Sequence, residues 1–291
     1  MRINGLIWVA SSYFLALSVG YFSTTFFLDR SILFQVFIAD IAATFIIYFF
    51  SVWKNNSSFY DPYWSIIPPF LAFFWIQKNN ISLSIESILL ISAILFWSIR
   101  LTANWIKTWE GLHHEDWRYI DMRNKMGRWF QILGNLGGIH FFPTLIVFFC
   151  CMPFMYIGSS KPNMLVLFLG IFISIVGVIL EIISDFQLHQ FRQKNSGKKG
   201  IIESGLWKYS RHPNYYGEIL FWWGMYVFGF SYQGFNYLIF APISMTLMFI
   251  FVSIPWIENK ILRTRPEYKD YQKRVHILFP EITIFKRLIG R

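Results

Sequence analysis

Residues 162–192 read PNMLVLFLGIFISIVGVILEIISDFQLHQFR. Nothing between Pro162 and Leu180 carries a charge, and such a run is long enough to cross a hydrocarbon core, which needs ~20 mostly apolar residues. The apolar character ends at Glu181, after which Asp185, His189 and Arg192 follow at about one helical turn each. A helix of this kind leaves lipid with polar groups on one face. It indicates a membrane fold and marks the end of the bundle where chemistry is to be sought.

Five further runs have the same apolar length, at about 6–28, 32–53, 83–106, 137–159 and 235–257, and two shorter ones lie at about 63–77 and 213–230. The chain is 55% hydrophobic and 14% charged, where soluble domains carry about a quarter charged residues. The reading is all-α: a polytopic integral membrane helical bundle with seven or eight transmembrane helices, forming one domain over 1–291. Neither an internal repeat nor a low-complexity linker divides it. The first run lacks a basic leader and a small-residue cleavage site, so it reads as a retained span.

The net charge of +10 would raise nucleic acid as a partner in a soluble protein. Here the pattern of the charges excludes it. With eight spans, every Lys and Arg except Arg30, Lys78 and Lys161 falls on one side, and the positive-inside rule puts both termini and the long loops in the cytoplasm. Lys286, Arg287 and Arg291 read as attraction to anionic lipid, worth ~1 kcal/mol each. Cys150 and Cys151, the only cysteines, are adjacent in an apolar run and read as packing residues rather than a disulfide framework or metal ligands.

Acids within membrane helices are expensive and are functional candidates by default. Asp40 sits mid-span in FIADIAATF, Glu181 and Asp185 end the span quoted above, and Glu218 opens the next. Asp185, His189 and Arg192 on one helical face suit a ribose hydroxyl and a phosphate. Chemistry of the soluble nucleotide folds is absent: there is neither a Walker loop nor a G-x-G-x-x-G after a strand. Adjacent His113 and His114 point about 100° apart on a helix, so no metal site is expected. The stretch 100–129, with Trp105, Trp109, Trp117 and Trp129 among its charges, reads as one or two interfacial amphipathic helices.

GLWKYSRHPNYYGE (205–218) places an Arg-His pair, Asn214, three Tyr and Glu218 before a short apolar run. Pro213 is suited to the first position of a helix, and polar groups at that N-terminus favour an anion. Together with EIISDFQLHQFR before it and RPEYKDYQKRVHILFP after it, this segment resembles the C-terminal half of the steroid 5-alpha-reductase superfamily. NNSSFYDPYWSIIP, RLTANW and HEDWRYIDMR are similar to phrases of its DUF1295 branch, so the resemblance covers about Asn55 to Pro280.

That resemblance implies NADPH-dependent reduction of an activated carbon–carbon double bond in a lipid or steroid-like enone, with membrane lipids as surroundings. It carries cofactor-binding roles onto Asp185, Arg192, Tyr209, Asn214 and Glu218, and a catalytic acid onto Asp61, with Tyr60 or Tyr63 beside it. Arg211, Lys260 and Arg274, with Lys198 and Lys199, supply positive charge for the cofactor phosphates, and Tyr215 and Tyr216 can stack or hydrogen-bond a nicotinamide. This chain departs from the pattern in having Asp at 61 instead of Glu, Trp97 where a Tyr partners the acid, Glu181 instead of Asn, and Lys260 near an expected His. Two rival readings stay open. The R-H-P-x-Y-x-G-E turn with Glu258 is also similar to membrane methyltransferases that use S-adenosylmethionine, and a lipid-binding member without turnover would tolerate Trp97.

Overall fold

The computed structural model describes residues 2–82, 84–195 and 200–278; Lys198, Lys199, Lys286, Arg287 and Arg291 lie outside them. Among these residues every regular element is helical. Six helical segments are long and apolar enough to cross a membrane: Arg2–Phe27, Ile32–Trp53, Ile85–Thr108, Trp117–Tyr156, Met164–Lys194 and Tyr237–Thr264. They contain α1 (Arg2–Ser23), α2 (Ile32–Trp53), α4 (Ile85–Thr108), α5 (Trp117–Met126), α6 (Phe142–Cys151), α7 (Met164–Lys194), α9 (Phe240–Met248) and α10 (Ile254–Thr264). The shorter runs form α3 (Tyr63–Lys78) and α8 (Pro213–Gln233), and α11 (Tyr268–Arg274) closes the described chain. The protein is a polytopic membrane helical bundle.

One departure from the sequence reading affects the site. The stretch 100–129 is not an interfacial unit: its first third is the end of α4, residues 109–116 form a loop, and only α5 is a separate amphipathic helix. As the spacing of Asp185, His189 and Arg192 leads one to expect, α7 continues as regular helix past its apolar run to Lys194, and its acids find partners on neighbouring helices. Between α5 and α6 the chain winds as a π-helix from Phe130 to Phe141, and a second π-helical turn spans Phe249–Ser253. Widened turns of this kind accompany functional sites, and both of these border the cavity described below.

The closest helix pair is α7 with α8, and small residues explain why. A Cβ on Gly177 would lie 2.5 Å from the Gly217 carbonyl oxygen, and one on Gly170 2.5 Å from the Phe228 amide nitrogen. Gly224 meets Ser174 Oγ in the same way. Lacking a hydrophobic force between helices in lipid, such a seam holds by backbone-to-backbone van der Waals contact, which small residues permit. Ser174 adds a hydrogen bond to the Phe221 carbonyl at 3.0 Å. Cys150 and Cys151 are buried and unbridged.

Candidate functional site

The polar end of the bundle is assembled by short local motifs. Asn56 caps the turn 57–59 by accepting from the Ser58 amide, and its own amide donates to the carbonyls of Leu112 and His114 at 2.9 and 3.1 Å. The Ser57 amide donates to Glu115 at 2.7 Å and the Asp116 amide to Ser58 Oγ at 2.9 Å. The loop after α2 is thereby stitched to the loop before α5. Glu115 also pairs with Arg123 at 2.8 Å, so the HHED stretch is a structural clasp. Its effect is to bring Asp61 against Tyr119, whose hydroxyl donates to Asp61 Oδ1 at 2.5 Å.

Asp61 is partly buried, and its carboxyl is raised to about 6, first by burial and then by the neighbouring Asp116, against the opposing pull of Arg118, Tyr119 and Ser58. Asp116 itself is held below the ordinary carboxylate range; burial acts against this, but Arg118 overcomes it with charge and two hydrogen bonds of 2.9 and 3.1 Å. Two carboxyls in one pocket thus have opposite tendencies, one poised to keep its proton and one ionised.

These groups line a cavity of about 380 Å³ between α3, α4, α5, α7, α8 and α10. Its far wall is a charge cluster. Arg100 of α4 forms ion pairs with both Glu181 and Asp185 of α7. Asn104, one turn along α4, donates to Asp185 Oδ2 at 3.0 Å, and Asn214 of α8 donates to Oδ1 at 3.4 Å. Glu218 accepts from Trp97 Nε1 at 3.0 Å and from Trp222 Nε1 at 2.8 Å. Trp97 is fully buried, stacked on Phe221 at 4.9 Å. It therefore serves Glu218 and not the acid at 61. The hydroxyl bonded to Asp61 comes from Tyr119 of α5.

A second cavity, of about 540 Å³, lies on the other side of Asn214 and Tyr215, which border both. Its lining is largely apolar and aromatic, but every charged group in it is a cation: Arg192, Arg211, Lys260 and Arg265, with His212 beside them. Arg265 Nε is buried with no hydrogen-bond partner among the described residues. Lys260 lies 3.8 Å above the Trp117 ring centroid.

Several expectations are corrected by this geometry. Asp185 and Arg192 do not share one surface: the first faces the smaller cavity and the second the larger, while His189 is exposed and bonded to Gln193. Arg211 borders the larger cavity, but its guanidinium is occupied by Glu258 at 2.7 Å and by the carbonyls of Gln272 and Val275. His212 and Tyr268 add bonds of 2.9 and 3.0 Å to Glu258, fastening the chain after α10 against the start of α8. Tyr63 is turned to Asp40, away from both cavities. Tyr209 is exposed, Arg274 pairs at the surface with Glu203 at 2.9 Å, and neither they nor Tyr216 line either of these two cavities. Tyr60, Asp61, Asp185, Arg192, Asn214, Glu218 and Lys260 remain at the cavities. Arg100, Asn104, Arg118 and Tyr119 join them, none of which hydropathy or motif spacing singles out. The signal available is an Arg and an Asn at i,i+4 where α4 leaves the apolar run.

The family described as "Protein of unknown function (DUF1295)" matches residues 47–275, a stretch that holds every cavity residue named above. An uncharacterised protein of Schizosaccharomyces pombe, C594.04c, is 27% identical in an alignment covering 80% of this chain and 75% of its own. No solved structure matches.

Proposed function

The chain belongs to the DUF1295 family, and from the cavities inside the matched stretch we propose that it is a membrane-embedded, NADPH-dependent reductase of an activated carbon–carbon double bond in a lipid- or steroid-like enone. The observation that carries this reading is the pair of chambers meeting at Asn214 and Tyr215, one holding an acid and a phenol, the other with cations as its only charged groups.

The residues fit a dinucleotide phosphate. A buried Arg265 Nε without a partner among the described residues, beside Arg192 and Lys260, is a donor set suited to phosphate oxygens. The Asn214 amide can donate to and accept from a carboxamide, and Tyr215, held between His212 and Phe249, lines the junction beside it. When bound, a reduced nicotinamide supplies a hydride. On the protein side, Asp61 in its neutral form donates a hydrogen bond to the substrate carbonyl, and Tyr119 fixes the orientation of the carboxyl. A donor aimed at developing oxyanion charge is worth ~2.7–4 kcal/mol. The Arg100, Glu181 and Asp185 cluster holds Asn214 in place and gives the junction a fixed shape.

The test uses protein purified into lipid nanodiscs and follows NADPH fluorescence and thermal unfolding, with S-adenosylhomocysteine in parallel. NADPH alone should bind and stabilise, and Arg192→Ala or Lys260→Ala should each weaken binding by about tenfold to a hundredfold, from ~1.5–3 kcal/mol per charged hydrogen bond. Oxidation of NADPH by one of a panel of 3-oxo-4-ene steroids and lipid enones should then be lost in Asp61→Ala. Stabilisation by S-adenosylhomocysteine and not by NADPH would replace the reductase with a methyltransferase; tight NADPH binding with every enone inert would leave a non-catalytic member.

A further inference from the structure

Asp40 is an acid in the middle of α2, 1% exposed, and no part of the chemistry above uses it. Its surroundings form a line of hydroxyls. Tyr63 of α3 lies 3.1 Å from Asp40 Oδ1, and Thr44, one turn along α2, lies 3.3 Å from the Tyr63 hydroxyl. Thr44 Oγ1 is 3.4 Å from Thr144 Oγ1 of α6, which is 2.8 Å from the hydroxyl of Tyr60. Tyr60 lines the smaller cavity beside Asp61. Five oxygen-bearing side chains from four segments, all buried, thus connect the carboxyl at the bundle centre to the wall of the cavity.

We infer that this line is a proton path: Asp40 stores a proton, and Tyr60 delivers one to the substrate. The inference rests on the reductase reading. Saturating an enone adds a hydride to one carbon and a proton to its neighbour, and Asp61, hydrogen-bonded to the carbonyl, is not positioned by that role to supply the second. The exchange balances with one proton drawn from solvent per turnover. Tyr60 gives its hydroxyl proton to the enolate carbon and takes one from Thr144; Thr144 takes one from Thr44, Thr44 from Tyr63, and Tyr63 from Asp40. Asp40 ends as a carboxylate with the Tyr63 hydroxyl donating to it and Thr44 donating to Tyr63, the directions the structure records. After product leaves, water in the cavity returns a proton along the same line in reverse.

A solely structural network would satisfy the same hydrogen-bonding groups, so the chain must be read by proton movement. Hydroxyl and carboxyl groups that can each donate and accept are required at every step, and any one methyl in place of an oxygen breaks the line. Ser65 is a useful contrast: it is a buried hydroxyl on α3, bonded at 2.9 Å to Thr102, and outside the line.

The experiment is difference infrared spectroscopy of the full chain in nanodiscs, following the carbonyl stretch of protonated carboxyl groups on transfer to D2O. Wild type should show a band that Asp40→Asn removes and that shifts on deuteration. Asp40→Glu, which keeps the carboxyl and moves the band, assigns the signal should the amide variant not fold. Thr144→Val and Tyr60→Phe should slow that deuteration by about tenfold or more, about 1.4 kcal/mol or more in barrier, and Ser65→Ala should not. No Asp40-dependent band, or a band whose exchange is unchanged in both Thr144→Val and Tyr60→Phe, overturns the path. Because neither readout needs turnover, these outcomes are separate from failure of the enone assay. With an enone that is reduced, Thr144→Val should lower kcat while leaving NADPH affinity unchanged; equal loss in both would also overturn the path.

Discussion

Replacing Arg100 by Leu should be among the most damaging single changes in this protein. The Arg100 side chain is 10% exposed and is shared by Glu181, 1% exposed, and Asp185, 20% exposed. Leu fills much of the volume but leaves two buried acids without their cation. Removing one partner of a buried ion pair costs ~3–5 kcal/mol, chiefly because the remaining charge stays desolvated. In a chain of this size each kcal/mol lowers the melting temperature by roughly 2–4 °C, so the expected fall is about 6–20 °C. The assay is thermal unfolding in nanodiscs followed by tryptophan fluorescence. A second substitution separates charge from packing: Arg100→Leu with Glu181→Leu removes one of the stranded acids and should recover part of the loss, a coupling that a double-mutant cycle measures. If the single variant melts within about 1 kcal/mol of wild type, or if the double variant is no more stable than the single, the cluster does not hold this end of the bundle.

Asp61 gives a pH signature. Its folded carboxyl is raised to about 6, so the neutral, donating form is present below that pH and lost above it; enone reduction should decline as pH rises through about 6. Asp61→Asn keeps a donor that does not titrate and should flatten this limb, measured as kcat/KM against pH. The same shift means that ionising Asp61 opposes folding, so Asp61→Asn should melt above wild type at about pH 7 and lose that advantage as pH falls from about 6 toward the unfolded value of ~3.9. At the helix seam, Gly177→Ala sets a Cβ 2.5 Å from the Gly217 carbonyl oxygen and 2.8 Å from the Phe221 nitrogen. Overpacking against backbone should cost ~1–3 kcal/mol in thermal unfolding, whereas Gly137→Ala, with 3.5 Å to its nearest neighbour, should be nearly silent.

The helices are legible in the sequence because each is a continuous apolar run with polar punctuation. The expected run 32–53 is α2 to the residue, and Pro213 opens α8 as its fixed φ favours. The partner of the acids at the far end of α7 is harder to read, since Glu181 and Asp185 look like a membrane boundary until Arg100, some eighty residues earlier, is brought to them. The same separation hides most of the site. Asp61 and Tyr119 meet only because Asn56, Ser57 and Ser58 are bonded to the 112–116 loop, a register that hydropathy does not encode. Motif spacing marks Asn214 and Glu218 but puts Asp185 and Arg192 on one surface, because two residues on a common helical face can still be divided by a helix packed between them. Here α8 does so with Asn214 and Tyr215.

The glycine seam between α7 and α8 divides the bundle into parts of unequal freedom. Every residue that faces the cavities from those two helices, from Asp185 and Arg192 to Asn214 and Glu218, rides on a backbone pair packed too closely to admit a methyl group between them. Asp61, Tyr60 and Tyr119 belong to loops and helix ends fastened by exchangeable polar bonds. A descendant of this chain could therefore acquire a different lipid by redrawing the 55–62 and 109–119 segments while the seam passes on unchanged, so new substrate ranges should arise by variation on one side of Asn214 and Tyr215 alone.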